Sequence, residues 1–241
     1  MKSNLKLAQR LLRVVPLVTG SVLISLPSFA GTLSTANAEI TFSNFSQNPV
    51  FATNNQTQIL AEEGQVSIDP VANATFNSNG GTAFSKVKVE GNSFGYLGSA
   101  DSTAQFQSNA FSVAQNQEFS FNFNGLLNLN TSIDSPEEAT NATGTIAFQL
   151  YEITDTNTEI LLDYFTVTGS LNSSDNSDYL LSPFNSFNIT LTSSETTAFG
   201  GNDESATSSF AGTFKRLFTR ATNLVVRGFT YSKASTSCPA R

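Results

Sequence analysis

The sequence predicts an all-β fold, an antiparallel β-sandwich or jelly-roll, and three observations predict it. Apolar residues alternate with polar ones instead of recurring every three or four positions. Asn, Ser, Thr, Gly and Phe dominate, and the Leu-Glu-Lys runs that make helices are missing. Short turn-forming clusters punctuate the alternating runs.

The first element is not part of that domain. Lys2, Lys6, Arg10 and Arg13 form a basic start, and an apolar stretch from Val14 to Leu26 follows. Two small-x-small sites come next, Ser28-Phe29-Ala30 and Ala36-Asn37-Ala38. This is the order of a secretory signal peptide. Strand-like alternation starts at Ile40, so cleavage is expected after Ala38, giving a signal over residues 1–38. No later segment has the roughly 20 apolar residues of a membrane-spanning helix.

Strands are then expected in order. Ile40–Ser46, Val71–Asn77, Phe84–Val89, Thr103–Gln107 and Phe111–Ala114 come first. The clearest run follows, Glu118–Asn124, with Phe119, Phe121 and Phe123 on one face and Ser120, Asn122 and Asn124 on the other. Thr143–Glu152 sets Ile146, Phe148 and Leu150 on one face. Ile160–Leu171 is apolar on both faces, as in a central strand. Phe184–Thr192 and Thr207–Phe214 complete the set. Asn79-Gly80-Gly81, Asp134-Ser135-Pro136 and Gly200-Gly201-Asn202-Asp203 are turns, and Asp155–Thr158 is a hairpin loop. The segment 214–229 has two readings. Phe214, Leu217, Phe218, Ala221, Leu224 and Val225 keep the spacing of an amphipathic helix; alternation and β-branched residues favour a closing hairpin that turns near Ala221-Thr222-Asn223. The domain is expected over residues 39–231, with a flexible tail over 232–241.

Composition narrows the function. The chain has no histidine and one cysteine, Cys238, which excludes Ser–His–Asp and Cys–His catalysis, a thiolate zinc site and an intramolecular disulfide. Cys238 is expected as a free thiol in the tail. After residue 38, 8 basic and 19 acidic residues leave a formal charge of −11. So acidic a body argues against nucleic-acid binding, which rests on neutralising phosphates. From Phe214 onward there are six cations and no acid, a segment expected to pair with the acidic body.

Three sets of residues could carry chemistry. Glu152 and Asp163 lie on neighbouring strands and could face each other across a hairpin, as a glycosidase carboxylate pair must. The acidic loops Asn172–Asp178 and Asn202-Asp203-Glu204 offer the oxygen ligands that calcium takes. Tyr96, Tyr151, Tyr164 and Tyr179 could form a shallow sugar platform, although Trp is absent. Asn44, Asn73, Asn141 and Asn188 head Asn-x-Ser/Thr triplets, which an Asn- and Thr-rich chain produces by chance.

The chain resembles exported cyanobacterial proteins of the PEP-CTERM type. The resemblance rests on Ala36-Asn37-Ala38-Glu39, Thr145–Leu150, Phe199-Gly200-Gly201-Asn202-Asp203-Glu204-Ser205-Ala206 and Phe210-Ala211-Gly212-Thr213-Phe214. It implies location in the envelope rather than an activity. The C-terminal sorting signal of such proteins is not found in Ser235–Arg241.

The expectation is an exported, non-enzymatic protein, secreted or periplasmic, of the cell envelope or extracellular matrix. Its partners would be polysaccharide, matrix proteins or further copies of itself by strand addition. No catalytic or cofactor-binding residue is assigned, and calcium is the one cofactor considered. The alternatives are a calcium-stabilised carbohydrate-binding module and a polysaccharide hydrolase using Glu152 and Asp163.

Overall fold

A computed structural model of the chain describes residues 31–77, 79–92, 94–174 and 177–240. Thirteen strands run through them: β1 (Thr32–Ser43), β2 (Phe51–Glu63), β3 (Val66–Asn77), β4 (Gly80–Gly91), β5 (Tyr96–Ser108), β6 (Phe111–Val113), β7 (Gln117–Ser132), β8 (Ala139–Ile153), β9 (Glu159–Asn172), β10 (Tyr179–Asn185), β11 (Ile189–Ala198), β12 (Asp203–Phe218) and β13 (Thr222–Cys238). Sheet A has the order β11-β12-β7-β1-β4-β3 and sheet B the order β10-β9-β8-β13-β5-β2, with β6 continuing the line of β5 along β13. The pairings are antiparallel, and the two sheets pack face to face as a sandwich. No helix among the described residues is long and apolar enough to cross a membrane.

Alternation in the sequence becomes alternation in burial. Along β7, Phe119, Phe121, Phe123, Leu127 and Leu129 are buried while Ser120, Asn122, Asn124, Leu126 and Asn128 face outward. The core is graded from end to end. At one end Phe42, Phe121, Phe123, Phe148 and Phe165 interlock, with Phe123 and Phe148 crossing edge to face at 4.9 Å. At the other end the filling is small: Ala36, Ala38, Ala100, Ala142 and Ala234 are fully buried. There the sheets lie so close that serine hydroxyls reach the opposite sheet. Ser34 Oγ donates to the Asn141 carbonyl at 2.6 Å, and Ser85 and Ser232 meet at 3.0 Å. The hydroxyls of Ser34, Ser85 and Ser232 are thereby compensated, whereas those of Thr140, Thr230 and Thr236 are buried without a partner.

Several boundaries differ from the sequence expectation. β1 starts at Thr32, eight residues before Ile40, and Ala36 and Ala38 lie inside it. Its early half alternates small residues with polar ones, a pattern that hydrophobicity does not register. Residues 232–238 form no tail; they are the last seven residues of β13, and Cys238 is buried at its end opposite Tyr96. The segment 214–229 is strand and not helix: Phe214 and Phe218 point inward while Leu217 points out, 61% exposed. Nor is it a closing hairpin. β12 belongs to sheet A and β13 to sheet B, so the chain crosses between layers at residues 219–221. Phe184–Thr192 divides into β10 and β11 around a turn, and they too belong to different sheets. β9 is not central but next to the edge strand β10. β2 was not expected at all, because an edge strand exposed on both faces carries no hydrophobic alternation. The hairpin at Asp155–Thr158 is as expected, closed by Asn157 at φ 57° and by Thr154 and Thr158.

Candidate functional site

The outer face of sheet B carries a set of aromatic and amide groups. The strand registers align them in rows across the sheet. One row runs Ala52, Gln107, Arg227, Gln149, Tyr164; the next runs Asn54, Gln105, Phe229, Ala147, Thr166, Phe184; a third runs Gln56, Thr103, Tyr231, Thr145, Thr168. A groove of about 500 Å³ crosses the first two rows, lined by Asn54, Gln105, Gln107, Asn109, Gln149, Arg227 and Phe229.

Arg227, Gln107 and Gln149 are held in place. Arg227 forms a bidentate pair with Glu159 at 2.6 Å for both bonds, and its Nε donates to Gln107 Oε1 at 2.8 Å. The guanidinium lies 5.3 Å over the ring of Tyr151, whose hydroxyl donates to Gln149 Oε1 at 2.8 Å. Hydrogen bonding to Arg227 holds the Glu159 carboxyl below its ordinary range, and the same bond raises the Arg227 value. Tyr164 and Phe184 pack with tilted rings, centroids 5.4 Å apart. The Tyr231 hydroxyl is pushed up, first by burial and then by the charge of Asp101. Fixed amides present donors and acceptors side by side, and the rings present apolar faces between them. That combination fits a polyhydroxylated chain lying along a flat surface.

The sequence-predicted residues distribute unevenly. Tyr151, Tyr164 and Tyr179 lie on this sheet, Tyr164 within the rows, Tyr151 under the Arg227 guanidinium and Tyr179 at the exposed edge strand. Tyr96 does not belong to it. It is buried at the small-residue end, bonded to Thr32 Oγ1, and burial pushes its hydroxyl up to about 12. The groove residues Gln105, Gln107, Gln149, Arg227 and Phe229 were missed. Their only sequence signal is position on the polar side of alternating runs, shared with dozens of other residues.

Glu152 and Asp163 both face inward, and they are not opposed: Asp163 sits across from Leu150, and Glu152 from Ile160. Each is committed to an arginine from the basic end. Arg216 Nη1 reaches Asp163 Oδ2 at 2.7 Å, and Arg220 Nη2 reaches Glu152 Oε1 at 2.6 Å. Asp163 Oδ1 accepts two further bonds, from Ser186 at 2.7 Å and Asn188 at 2.9 Å. The basic end thus pairs with the acidic body, as its charge suggested.

The two acidic loops converge. Glu204, buried near the β11–β12 turn, accepts from Thr131 at 2.9 Å and from the Gly200 N–H at 3.2 Å, and it meets Asp178 from the β9–β10 loop. Burial is the main cause of its raised pKa, with the Asp178 carboxylate adding to it. Asp175 and Asn176, in the same predicted loop, lie outside the described residues, as do residues 1–30 of the signal segment. No group of three or more His, Cys, Asp or Glu side chains placed to hold a metal occurs among the described residues. Comparison of the chain with family models, with curated proteins and with solved structures finds no match in any of the three.

Proposed function

We propose that this is an exported, non-enzymatic β-sandwich of the cell envelope or extracellular matrix that binds polysaccharide on the outer face of sheet B. The observation that carries the reading is the groove in which Arg227 and Tyr151 hold the amides of Gln107 and Gln149 beside Phe229. Retention on insoluble envelope and extracellular polysaccharide tests it. Phe229→Ala and Gln149→Ala should each weaken retention about tenfold, the equivalent of about 1.4 kcal/mol. Asn124→Ala, on the outer face of sheet A, should leave it unchanged. Equal retention of all three variants would remove the groove as the binding face.

The meeting of Asp178 and Glu204 favours a second reading, in which calcium stabilises this end of the sandwich. A cation selective for the folded state would raise the melting temperature by mass action. An unchanged melting temperature at millimolar calcium ends that reading. Failure to retain any polysaccharide would leave self-association by strand addition. The edge strand β2 suits it, being 13 residues long without proline or lysine to guard it.

A further inference from the structure

We infer that the precursor is cut between Ala30 and Gly31, so that the mature chain begins at Gly31 and not at Glu39. The inference rests on the export reading above and replaces the expected cut after Ala38 with one at the other small-x-small site, Ser28-Phe29-Ala30.

The argument comes from β1. It lies between β4 and β7 in the interior of sheet A, paired on both sides along nearly its whole length. A cut after Ala38 would remove Thr32–Ala38, over half of the strand. Thr32, Ser34, Ala36 and Ala38 are each 0% exposed. Their loss would strip one row of hydrogen-bonding partners from Ser85–Gly91 of β4 and from Leu127–Ser132 of β7. It would also delete the bond from Ser34 to the Asn141 carbonyl and the bond between Thr32 and Tyr96. Buried backbone groups left without partners cost about 1–3 kcal/mol each. Several of them together are comparable with the whole stability of an ordinary domain, which is about 5–15 kcal/mol.

A cut after Ala30 removes none of this. Ser28 and Ala30 satisfy the small-x-small requirement, and a leader ending there stays within the roughly 30 residues typical of secretory signals. A second feature is independent of β1. The Gly31 N–H donates to Asp134 Oδ2 at 2.5 Å. The receiving loop is itself fixed, because the Asp134 and Ser135 N–H groups donate to Glu138 Oε2 at 2.8 and 3.0 Å. In the hydrolysis, water supplies hydroxyl to the Ala30 carbonyl carbon and a proton to the Gly31 nitrogen as the amide bond breaks. The released amine takes up a further proton at neutral pH, and an ammonium beside Asp134 makes that hydrogen bond charge-assisted.

The full chain, expressed in a bacterium with an intact export pathway, provides the test. N-terminal sequencing and intact mass of the exported protein should give Gly31-Thr32-Leu33. Ala30→Leu should make uncut precursor accumulate at least about tenfold. Ala38→Leu should leave the cut at Ala30 in place, read by pulse-labelling so that turnover of a poorly folded variant does not hide it. An exported protein starting at Glu39-Ile40-Thr41 would overturn the site while leaving the export reading intact. A chain that keeps residues 1–30 in every fraction would overturn both.

Discussion

Removing the Arg216 side chain should destabilise the sandwich more than neutralising its partner does. Arg216 extends from β12 in sheet A to Asp163 on β9 in sheet B, so the pair pins the two layers together beside the phenylalanine cluster. The partners differ in exposure: the Asp163 side chain is 1% exposed and that of Arg216 30%. For unit charges about 4 Å apart at an effective dielectric of about 20, the attraction is about 4 kcal/mol. Arg216→Ala forfeits it and leaves a buried carboxylate with only Ser186 and Asn188 as donors. Stranding a buried charge typically costs about 3–5 kcal/mol, and solvent reaching the vacated arginine site brings the expectation to about 3 kcal/mol. Asp163→Asn should cost about 1 kcal/mol, since the amide oxygen still accepts bonds and the half-exposed guanidinium can turn to water. The double variant Arg216→Ala/Asp163→Asn should then be more stable than Arg216→Ala alone. Urea denaturation at neutral pH of the four proteins closes the cycle. A loss below about 0.5 kcal/mol for Arg216→Ala, the value of an ordinary surface substitution, would refute the argument. So would a double variant no more stable than Arg216→Ala, because the cost would then lie in lost packing and not in the stranded charge.

Three further outcomes are expected. Gly125→Ala should destabilise by about 1–3 kcal/mol, because its Cβ would meet the rigid Glu39 carbonyl oxygen, whereas Gly144→Ala should cost much less, because the nearest atom is a terminal methyl of Leu127; thermal melts of the two compare them directly. The Glu204 carboxyl is raised above its ordinary 4.5, so the stability it contributes is present below that pH and lost as pH rises through the folded value; Glu204→Gln should therefore melt higher than the parent at pH 8 and converge with it near pH 4. Tyr96, raised to about 12, should remain protonated at pH 11, so in an ultraviolet titration Tyr96→Phe should leave the absorbance change up to pH 11 unaltered.

The functional face was only partly legible from the residues. Tyr151 and Tyr164 were singled out as exposed aromatics and do share an outer face, yet Tyr96 has the same local sequence character and is buried against Thr32. Nothing near Tyr96 in the chain foretells this; the ring is covered because it packs over Gly91, which β4 brings across from the other sheet. Glu152 and Asp163 show the same difficulty. Proximity in a hairpin was readable, but Asp163 sits across from Leu150 and Glu152 from Ile160, and their ion-pair partners lie more than fifty residues away in the chain, Arg216 on β12 and Arg220 in the crossing that follows it.

By itself the sequence determined the class of fold and the character of the core. Period-two alternation admits only half-buried strands, and the runs around Phe121 and Phe148 mark which side each strand buries. It also determined that catalysis through histidine or a disulfide-stapled fold is impossible here. Only the tertiary structure decided which strands are neighbours, that β12 and β13 separate into different layers, and that the alanines and serines of β1 and β13 form a buried seam. The physical reason is that small residues carry little hydrophobic signal along the chain. Their burial comes from the close approach of two sheets, which is a property of the assembled sandwich and of no single strand.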